Sequence, residues 1–258
     1  MESYDYLRKE FETSFSNFPK GTPFWYHNSF RDTTRSCSPT FKKLETYLPY
    51  DLSTKIFLGQ TDIETLQSSY KDHGFGFLFY ALVRLLKPEL CCEIGVLHGF
   101  SLLTVAAGLR DNGNGVIHGY DLFEKYPYHH DSYENVSRRI KSLGLSRWAS
   151  VHFSDAFQVA QLFNTEVDYL HVDISNDGDT YYKIFEQWND KVRKVILLEG
   201  GGTERDRVEW MVKYKKRPIN DTIEKLTNKY PDWDINVLEL YPSLTVAIRK
   251  NNQTFCLD

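Results

Sequence analysis

The chain has 258 residues, of which 41% are hydrophobic and 15% aromatic, and 31 Lys and Arg against 35 Asp and Glu give a formal net charge of −4. This length supports one substantial core, and a single large α/β domain is a common outcome. The sequence lacks the basic patch that nucleic-acid-binding proteins carry and any apolar run long enough to cross a bilayer. We therefore expect neither a nucleic-acid nor a membrane partner.

The four cysteines, Cys37, Cys91, Cys92 and Cys256, form neither a C-x-x-C pair nor a zinc-binding spacing. The N-terminal stretch MESYDYLRKEFE lacks the basic and then apolar pattern of a signal peptide. Together these features predict a protein of the reducing cytoplasm.

Residues 1–65 are rich in aromatic residues, Ser, Thr and Pro and show weak periodicity, which predicts a loop-rich N-terminal extension ahead of a domain at 66–258. Four consecutive residues, Phe24, Trp25, Tyr26 and His27, offer stacking faces that suit a sugar or a flat ring. They suit a hydrophobic core equally well. The extension is thus either a lid that contributes to an acceptor site or a segment packed against the core.

From about residue 70 the chain alternates helix and strand. A helical stripe from Phe75 to Leu86 is stopped by Pro88. Five buried strands, each followed by a helix, are predicted at 90–96, 116–122, 149–153, 167–174 and 193–199, and a hairpin at 234–250 ends the chain. This order predicts an α/β fold with a Rossmann-like, doubly wound, seven-stranded sheet, mostly parallel, with an antiparallel strand from the C-terminal hairpin.

Ligands of such sheets bind beyond the carboxyl ends of the strands. The first strand ends in Glu93, Gly95, Gly99 and Ser101. Glycines allow a tight turn, the amides at the following helix start favour a carboxylate, and an acid accepts from an ammonium group. The G-x-G-x-x-G pattern of dinucleotide sites is absent. The pattern therefore favours a ligand that bears an amino acid, with a plain turn as the alternative.

Acidic residues also stand at the next two strand ends. Asp121 can bind both hydroxyls of a ribose, or can act as a helix cap or a surface acid. Ser154, Asp155 and Ala156 follow the third strand, where Asp155 caps a helix or meets the amino group of an adenine. This arrangement suits any nucleoside cofactor.

The fourth and fifth strand ends carry groups suited to catalysis. His171 and Asp173 alternate along a strand and so share a face, while Asp177 and Asp179 fit turn and cap roles. Glu199, before three glycines, lies next to Asp173 if the two strands are neighbours. Adjacent carboxylates repel unless a cation or a proton lies between them. These residues predict a general base or a site for a divalent cation such as Mg²⁺ or Mn²⁺.

The segments EIGVLHGFS, GYDLFE, SDA and HVDISNDGDTYY, followed by the hairpin, resemble the class I S-adenosylmethionine-dependent methyltransferases over about residues 70–250. The resemblance implies that S-adenosylmethionine is the cofactor, that Asp121 binds its ribose and that Asp173 lies near the transferred methyl group. It assigns the remaining cofactor contacts to Glu93, Gly95, Gly99 and Ser101 at the methionine moiety and to Ser154, Asp155 and Ala156 at the adenine. In metal-dependent relatives the fifth strand usually ends in Asp-Asp or Asp-Asn, whereas this chain has Glu199-Gly200 at that point, a departure from the metal-binding pattern.

The pairing of the segments HVDISNDGDTYYKIFEQW and LLEGGGTERDRVEWM is loosely similar to a group of bacterial enzymes that modify glycans and capsules. This similarity implies O-methylation of a small-molecule acceptor such as a sugar, a sugar nucleotide or a glycan-linked phosphate group in polysaccharide tailoring. Asp173 or His171 is predicted as the base, or Asp173 and Glu199 share a cation. Such relatives are often dimers or larger, which implies a homo-oligomer. An NAD-dependent oxidoreductase and a non-catalytic nucleoside-binding module are the alternatives.

Overall fold

The computed structural model describes residues 66, 68–72, 75–128, 130–175, 177–202, 207–238 and 242–250. The predicted N-terminal extension, including residues 24–27, lies outside these ranges. Within them, no helix has the length and apolar character needed to cross a membrane.

The described elements follow the predicted alternation. The strands are β1 Leu90–Ile94, β2 Val116–Asp121, β3 Ala149–Phe153, β4 Val167–Val172, β5 Val192–Glu199, β6 Trp233–Leu238 and β7 Leu244–Arg249. The α-helices are α1 Ser69–Asp72, α2 Phe75–Leu86, α3 Phe100–Asn112, α4 Tyr133–Ser142, α5 Ala156–Leu162, α6 Gly178–Trp188, α7 Glu209–Lys213 and α8 Ile219–Lys229. A 3₁₀ turn, Phe123–Lys125, follows β2.

The seven strands form one sheet in the order β3-β2-β1-β4-β5-β7-β6. Strands β1 to β5 pair in parallel, whereas β7 runs antiparallel to both β5 and β6. The predicted doubly wound sheet with an antiparallel hairpin strand is therefore confirmed. Strand order reverses between β1 and β4, which places the ligand-binding crevice of such folds beyond the ends of these two strands.

Two buried clusters cover the two faces of the sheet. Helices α2 and α3 supply much of one cluster, whose members include Phe79 and Leu103. Helix α6 and the start of α8 pack on the other, around Phe185, Trp188 and Ile219. Because both faces are covered, the central strands are buried almost throughout, and polar groups that face a ligand concentrate at the strand ends.

Strands β1 and β4 both end two residues earlier than the sequence predicts. Gly95 has φ +87° and turns the chain out of β1, while its N–H still donates to the carbonyl of Tyr120. The N–H of Asp173 donates to the carbonyl of Ile94 at 2.8 Å, the last backbone contact between the two strands. Gly95 and Asp173 thus become loop residues at the carboxyl edge of the sheet.

Candidate functional site

A cavity lies at the carboxyl edge of the sheet, over the ends of β1, β2, β3 and β4. Six of the predicted site residues line it: Gly95, Asp121, Ser154, Asp155, Ala156 and Asp173. They come from four separate strand ends, so the sheet itself brings together residues that are up to 78 positions apart in the chain. Five of the eight residues predicted to bind the cofactor thus share one concave surface with Asp173.

The first turn is shaped by close backbone packing. A Cβ atom on Gly95 would lie 1.9 Å from the carbonyl oxygen of Asp173, and the positive φ also disfavours a side chain there. Gly99, with φ +85°, is the N-cap of α3 and is buried. Gly95 thus belongs to the cavity wall, whereas Gly99 is not among the residues that line it.

Asp121 organises this turn. One of its carboxylate oxygens accepts from the backbone N–H groups of Val96 at 2.7 Å and Leu97 at 3.0 Å. The other oxygen accepts from the N–H of Phe123 at 2.8 Å. A carboxylate has about four lone-pair sites, so one acceptor position remains for a ligand hydroxyl. Asp121 therefore anchors the turn and still has an acceptor position on the cavity wall.

The third strand end both caps a helix and lines the cavity. The Asp155 carboxylate accepts from the N–H of Phe157 at 2.9 Å and is the N-cap of α5. The Ser154 N–H donates to the carbonyl of Asp121, which ties this end to the second. The two sequence-based alternatives for Asp155 are thus compatible, because the capping contact leaves the residue on the cavity wall.

Several cavity residues were not predicted from the sequence. They are Ile94 and Leu97 at the end of β1 and in the first turn, Tyr120 and Leu122 around the end of β2, Tyr126 and His130 in the segment before α4, and Ile174 after β4. Leu97, Leu122 and Ile174 each lie within two residues of a predicted site residue, and that proximity is the one sequence signal for them. Tyr126 and His130 lie in an aperiodic segment, so no pattern singled them out.

A polar cluster around Asp131 fixes that segment to the first turn. The buried Asp131 carboxylate contacts the His98 ring at 2.9 Å and accepts from Arg139, from the side chain of Asn135 and from the N–H of Ser132. Burial raises the pKa of this carboxyl, but the hydrogen bonds from His98, Asn135 and Arg139 outweigh it, and the pKa lies well below its usual range. Asp131 therefore remains ionised and bridges the turn after β1 to the start of α4.

Glu93 and Ser101, predicted as cofactor contacts, lie behind the cavity and do not line it. The Ser101 hydroxyl donates to Glu93 at 2.8 Å, and the other Glu93 oxygen is 3.4 Å from Nδ1 of His171. Nε2 of His171 lies 3.2 Å from the Tyr70 hydroxyl. Glu93 and His171 have no solvent exposure. His171 is consequently part of a buried network, and Asp173, on the cavity wall, is better placed to meet an acceptor.

The charges of Asp173 and Glu199 affect the pKa of the buried Tyr70 hydroxyl. Burial raises the pKa of Tyr70 most, and the charges of Asp173 and Glu199 raise it further. Within the described ranges no group of three or more His, Cys, Asp or Glu side chains is arranged to hold a metal ion. For the predicted cation, the described residues therefore offer the carboxylates of Asp173 and Glu199 but no third His, Cys, Asp or Glu ligand.

The acidic loop after β4 has structural roles. Asp177 is the N-cap of α6 and accepts from the ammonium group of Lys216 at 3.2 Å, and Asp179 pairs with Arg217 at 2.9 Å. Asp177 therefore caps the helix, a role that the sequence suggested for Asp179; Asp179 instead lies in the first turn of α6 and forms an ion pair.

Comparisons with known proteins agree with this geometry. The family model described as "Methyltransferase domain" matches residues 92–198. A search of curated proteins finds no match to the sequence.

Several solved structures share the fold. The O-methyltransferase from Bacillus cereus in complex with SAH is 18% identical, with a TM-score of 0.56 over 80% of this chain and 100% of that one. The O-methyltransferase TomG from Streptomyces achromogenes, involved in tomaymycin synthesis and bound to SAM, is 15% identical, with a TM-score of 0.57 over 97% of this chain and 100% of its own. The SAH-bound methyltransferase PaMTH1 from Podospora anserina is 16% identical, with a TM-score of 0.54 over 83% and 97%. With a methyltransferase domain at residues 92–198 and a fold shared with SAM- and SAH-bound O-methyltransferases, this chain is similar to the class I S-adenosylmethionine-dependent methyltransferases, in agreement with the resemblance seen in the sequence.

Proposed function

We propose that this methyltransferase binds S-adenosylmethionine in the cavity over β1 to β4 and methylates a hydroxyl oxygen of a small-molecule acceptor, such as a sugar, a sugar nucleotide or a glycan-linked phosphate group. The observation that carries the proposal is that Asp173 lines the same cavity as Gly95, Asp121, Ser154, Asp155 and Ala156. A residue able to accept a proton thus adjoins the residues predicted to bind the nucleoside.

Several groups on the cavity wall suit a nucleoside. Asp121 keeps one acceptor position for a ribose hydroxyl, and Leu122 and Ala156 offer apolar surface on either side of the β2 and β3 ends. Tyr126 adds an aromatic face at the cavity edge, 40% exposed. The absence of G-x-G-x-x-G and the match to a methyltransferase domain favour this ligand over a nicotinamide dinucleotide.

When bound, S-adenosylmethionine supplies an already activated methyl group, so the chain needs only to align the acceptor and remove its proton. Alignment alone supplies a large part of the acceleration in such transfers. Asp173 follows the last residue of β4, and its N–H is held by the carbonyl of Ile94, which fixes the backbone from which its side chain reaches the cavity. We assign Asp173 as the general base.

His171 and a metal ion were the other predicted means of removing the proton. His171 is fully buried between Tyr70 and Glu93, so it does not face the cavity. Because Asp173 and Glu199 lack a third carboxylate, imidazole or thiolate ligand within the described part of the chain, no step is assigned to a cation.

An oxygen acceptor is supported by the solved neighbours from Bacillus cereus and Streptomyces achromogenes, both named O-methyltransferases. The glycan-related acceptor class rests on the resemblance of the segments after β4 and β5 to bacterial glycan-modifying enzymes. A panel of sugars, sugar nucleotides and phenols therefore tests the acceptor directly.

The test is a transfer assay with isotope-labelled S-adenosylmethionine and this panel, comparing the natural chain with Asp173→Asn. We expect label in an acceptor hydroxyl, and we expect Asp173→Asn to keep nucleoside affinity while turnover falls by about a hundredfold or more, the contribution typical of a general base. Unchanged turnover in Asp173→Asn would exclude the base assignment. Transfer only to an amine or a thiol would exclude O-methylation.

A further inference from the structure

A short basic segment lies on the surface at the end of α7. Residues 212–217 are all exposed, and four of these six side chains are positively charged: Lys213, Lys215, Lys216 and Arg217. The whole chain has a net charge of −4, so this concentration of cations is a local feature. We call residues 213–217 the basic turn. Its charge suits an anionic ligand.

Packing fixes the basic turn against the loop that follows β4. The N–H of Gly178, the first residue of α6, donates to the carbonyl of Arg217 at 2.8 Å. A Cβ atom on Gly178 would lie 3.1 Å from the same carbonyl oxygen, so the two segments touch through their backbones. Lys216 also pairs with Asp177 at 3.2 Å. Arg217 pairs with Asp179 at 2.9 Å, and these contacts hold the turn at the start of α6.

This packing places the basic turn on the acceptor side of the cavity. Asp173, the proposed base, and Ile174 line the cavity after the end of β4. Three residue steps separate Ile174 from Asp177, which is a reach of about 11 Å at most. The nucleoside contacts proposed for Asp121 and Ala156 follow β2 and β3, which lie on the other side of β1 in the sheet. A ligand group bound by the turn therefore belongs to the acceptor.

Two cations of the basic turn are available to such a group. Within the described part of the chain, Lys213 and Lys215 form no ion pair, whereas Lys216 and Arg217 do. The ammonium group of Lys213 lies 5.3 Å from the centre of the Tyr214 ring. The charges of Lys213 and Lys215 are thus not neutralised by a carboxylate of the described residues.

Lys215 occupies a backbone position that favours glycine. Its φ is +51°, and it directly follows the C-cap of α7. The Lys216 N–H donates to the carbonyl of Met211, and the Lys215 N–H donates to that of Val212, which together form a Schellman motif. Glycine is usual at this point because a side chain is strained at positive φ. A lysine in this strained position indicates a role for its side chain, since such strain is concentrated at functional sites.

We propose that the acceptor carries a phosphate or diphosphate group, and that Lys213 and Lys215 bind this group while the acceptor hydroxyl lies at Asp173. This inference rests on the proposed function and narrows its acceptor class, from which it removes neutral sugars. Ammonium groups form strong, charge-assisted hydrogen bonds with phosphate oxygens. The bound phosphate anchors one end of the acceptor and so aligns the hydroxyl at the other end for transfer.

Inorganic pyrophosphate tests the anion site directly, by calorimetry on the chain saturated with S-adenosylhomocysteine. We expect the natural chain to bind pyrophosphate, and Lys213→Gln combined with Lys215→Gln to weaken binding by about tenfold or more, the loss expected for hydrogen bonds to a charged group. The affinity for S-adenosylhomocysteine should not change, because neither lysine lines the cavity. Lys141→Gln combined with Lys225→Gln, at exposed lysines of α4 and α8, is the control with the same change in net charge. It should bind pyrophosphate as the natural chain does.

Lys215→Gly separates the ligand contact from a structural role. Glycine relieves the strain at φ +51°, so we expect the melting temperature to rise while the affinity for pyrophosphate falls. A lysine with a structural role alone would not show the loss of affinity, and an unchanged affinity in Lys215→Gly would remove this residue from the site.

Three sugars identify the source of the phosphate. UDP-glucose carries a diphosphate, glucose 1-phosphate carries one phosphate, and glucose carries none. We expect both phosphorylated compounds to bind more tightly than glucose. Tighter binding of UDP-glucose indicates a sugar nucleotide as the acceptor, and tighter binding of glucose 1-phosphate indicates a sugar phosphate. Equal affinity for all three compounds would overturn the inference.

Two further outcomes would contradict the anion site and leave the proposed function intact. The first is S-adenosylhomocysteine binding without pyrophosphate binding, or with equal weakening of pyrophosphate binding in the two double variants. The second is binding of phosphatidylglycerol vesicles without binding of pyrophosphate, which would assign the basic turn to a lipid surface. Should the natural chain fail to bind S-adenosylhomocysteine, the proposed function itself fails, and the inference fails with it.

Discussion

One carboxylate oxygen of Asp121 lies 2.7 Å from the backbone nitrogen of Val96 and so holds the turn that follows β1 from the neighbouring strand β2. The same oxygen accepts from Leu97. A residue predicted as a ligand contact thus also maintains the shape of the cavity in which the ligand binds. Its removal should affect both stability and affinity.

Asp121→Ala tests this double role. The N–H groups of Val96, Leu97 and Phe123 would lose their shared acceptor, and we expect a loss of about 1–3 kcal/mol in the free energy of unfolding together with weaker nucleoside binding. Urea denaturation and calorimetry measure the two effects. Asp190→Ala, at an exposed aspartate before β5, serves as the control. Full stability in Asp121→Ala would show that the turn does not depend on this carboxylate.

Gly95→Ala should be among the most damaging single changes in the cavity. The new Cβ would meet the Asp173 carbonyl at 1.9 Å, and we expect a loss of about 3 kcal/mol, the upper end of what overpacking costs, with further loss from backbone strain. Gly144→Ala is a matched control, since Gly144 also has positive φ but no atom within 4 Å of its Cβ position. That variant should lose only about 1 kcal/mol from strain. Thermal melting of the two variants measures both losses of stability. Equal losses in Gly95→Ala and Gly144→Ala would show that the contact with the Asp173 carbonyl has no effect on stability.

Asp131→Asn should destabilise the chain in a pH-dependent manner. The pKa of Asp131 is lower in the folded chain than its ordinary value of 3.8. Its contribution to the free energy of unfolding is therefore fully present above pH 3.8 and is lost as the pH falls toward the folded-state pKa. The difference in unfolding free energy between the natural chain and Asp131→Asn should be largest near pH 7 and should narrow below about pH 3.8. Urea titrations from pH 7 to pH 3 measure it. A difference that stays constant across this range would contradict the ionic role.

The pair His118 and His152 should weaken the fold as the pH falls. Burial lowers the pKa of both rings, and His152 lowers that of His118 further. At pH values between the lowered folded-state pKa values and the ordinary pKa of 6.5, the unfolded chain binds more protons than the folded chain. The free energy of unfolding therefore decreases as the pH drops below about 6.5. We expect His118→Gln combined with His152→Gln to reduce the stability lost between pH 7 and pH 5. An unchanged pH profile in the double variant would contradict this origin.

Much of the fold was predictable because its elements carry local signals. The apolar stripe of the helix, Phe75, Leu78, Phe79, Leu82 and Leu86, is buried, and the helix ends before Pro88 as predicted. The strand ends were less predictable. Apolar residues continue through Val96, but the turn is set by the contact of Gly95 with Asp173, 78 residues further along the chain. A contact between distant residues leaves no periodic trace in either segment.

The site was predictable where a residue type and a strand end coincide. Asp121, Asp155 and Asp173 combine both features and line the cavity. Side chains that depend on three-dimensional neighbours were not found in this way. His98 and Asp131 meet only because α4 packs beside the first turn, and Tyr70 reaches His171 across 101 residues.

We propose above that the cavity over β1 to β4 binds a nucleoside that bears an amino acid. The most direct test is a calorimetric titration in which the natural chain and Asp121→Ala are each titrated with S-adenosylhomocysteine, and the natural chain is also titrated with NADH. We expect saturable binding of one S-adenosylhomocysteine per chain, weaker binding in Asp121→Ala, and no binding of NADH. Binding of NADH, or S-adenosylhomocysteine affinity that is unchanged in Asp121→Ala, would contradict it.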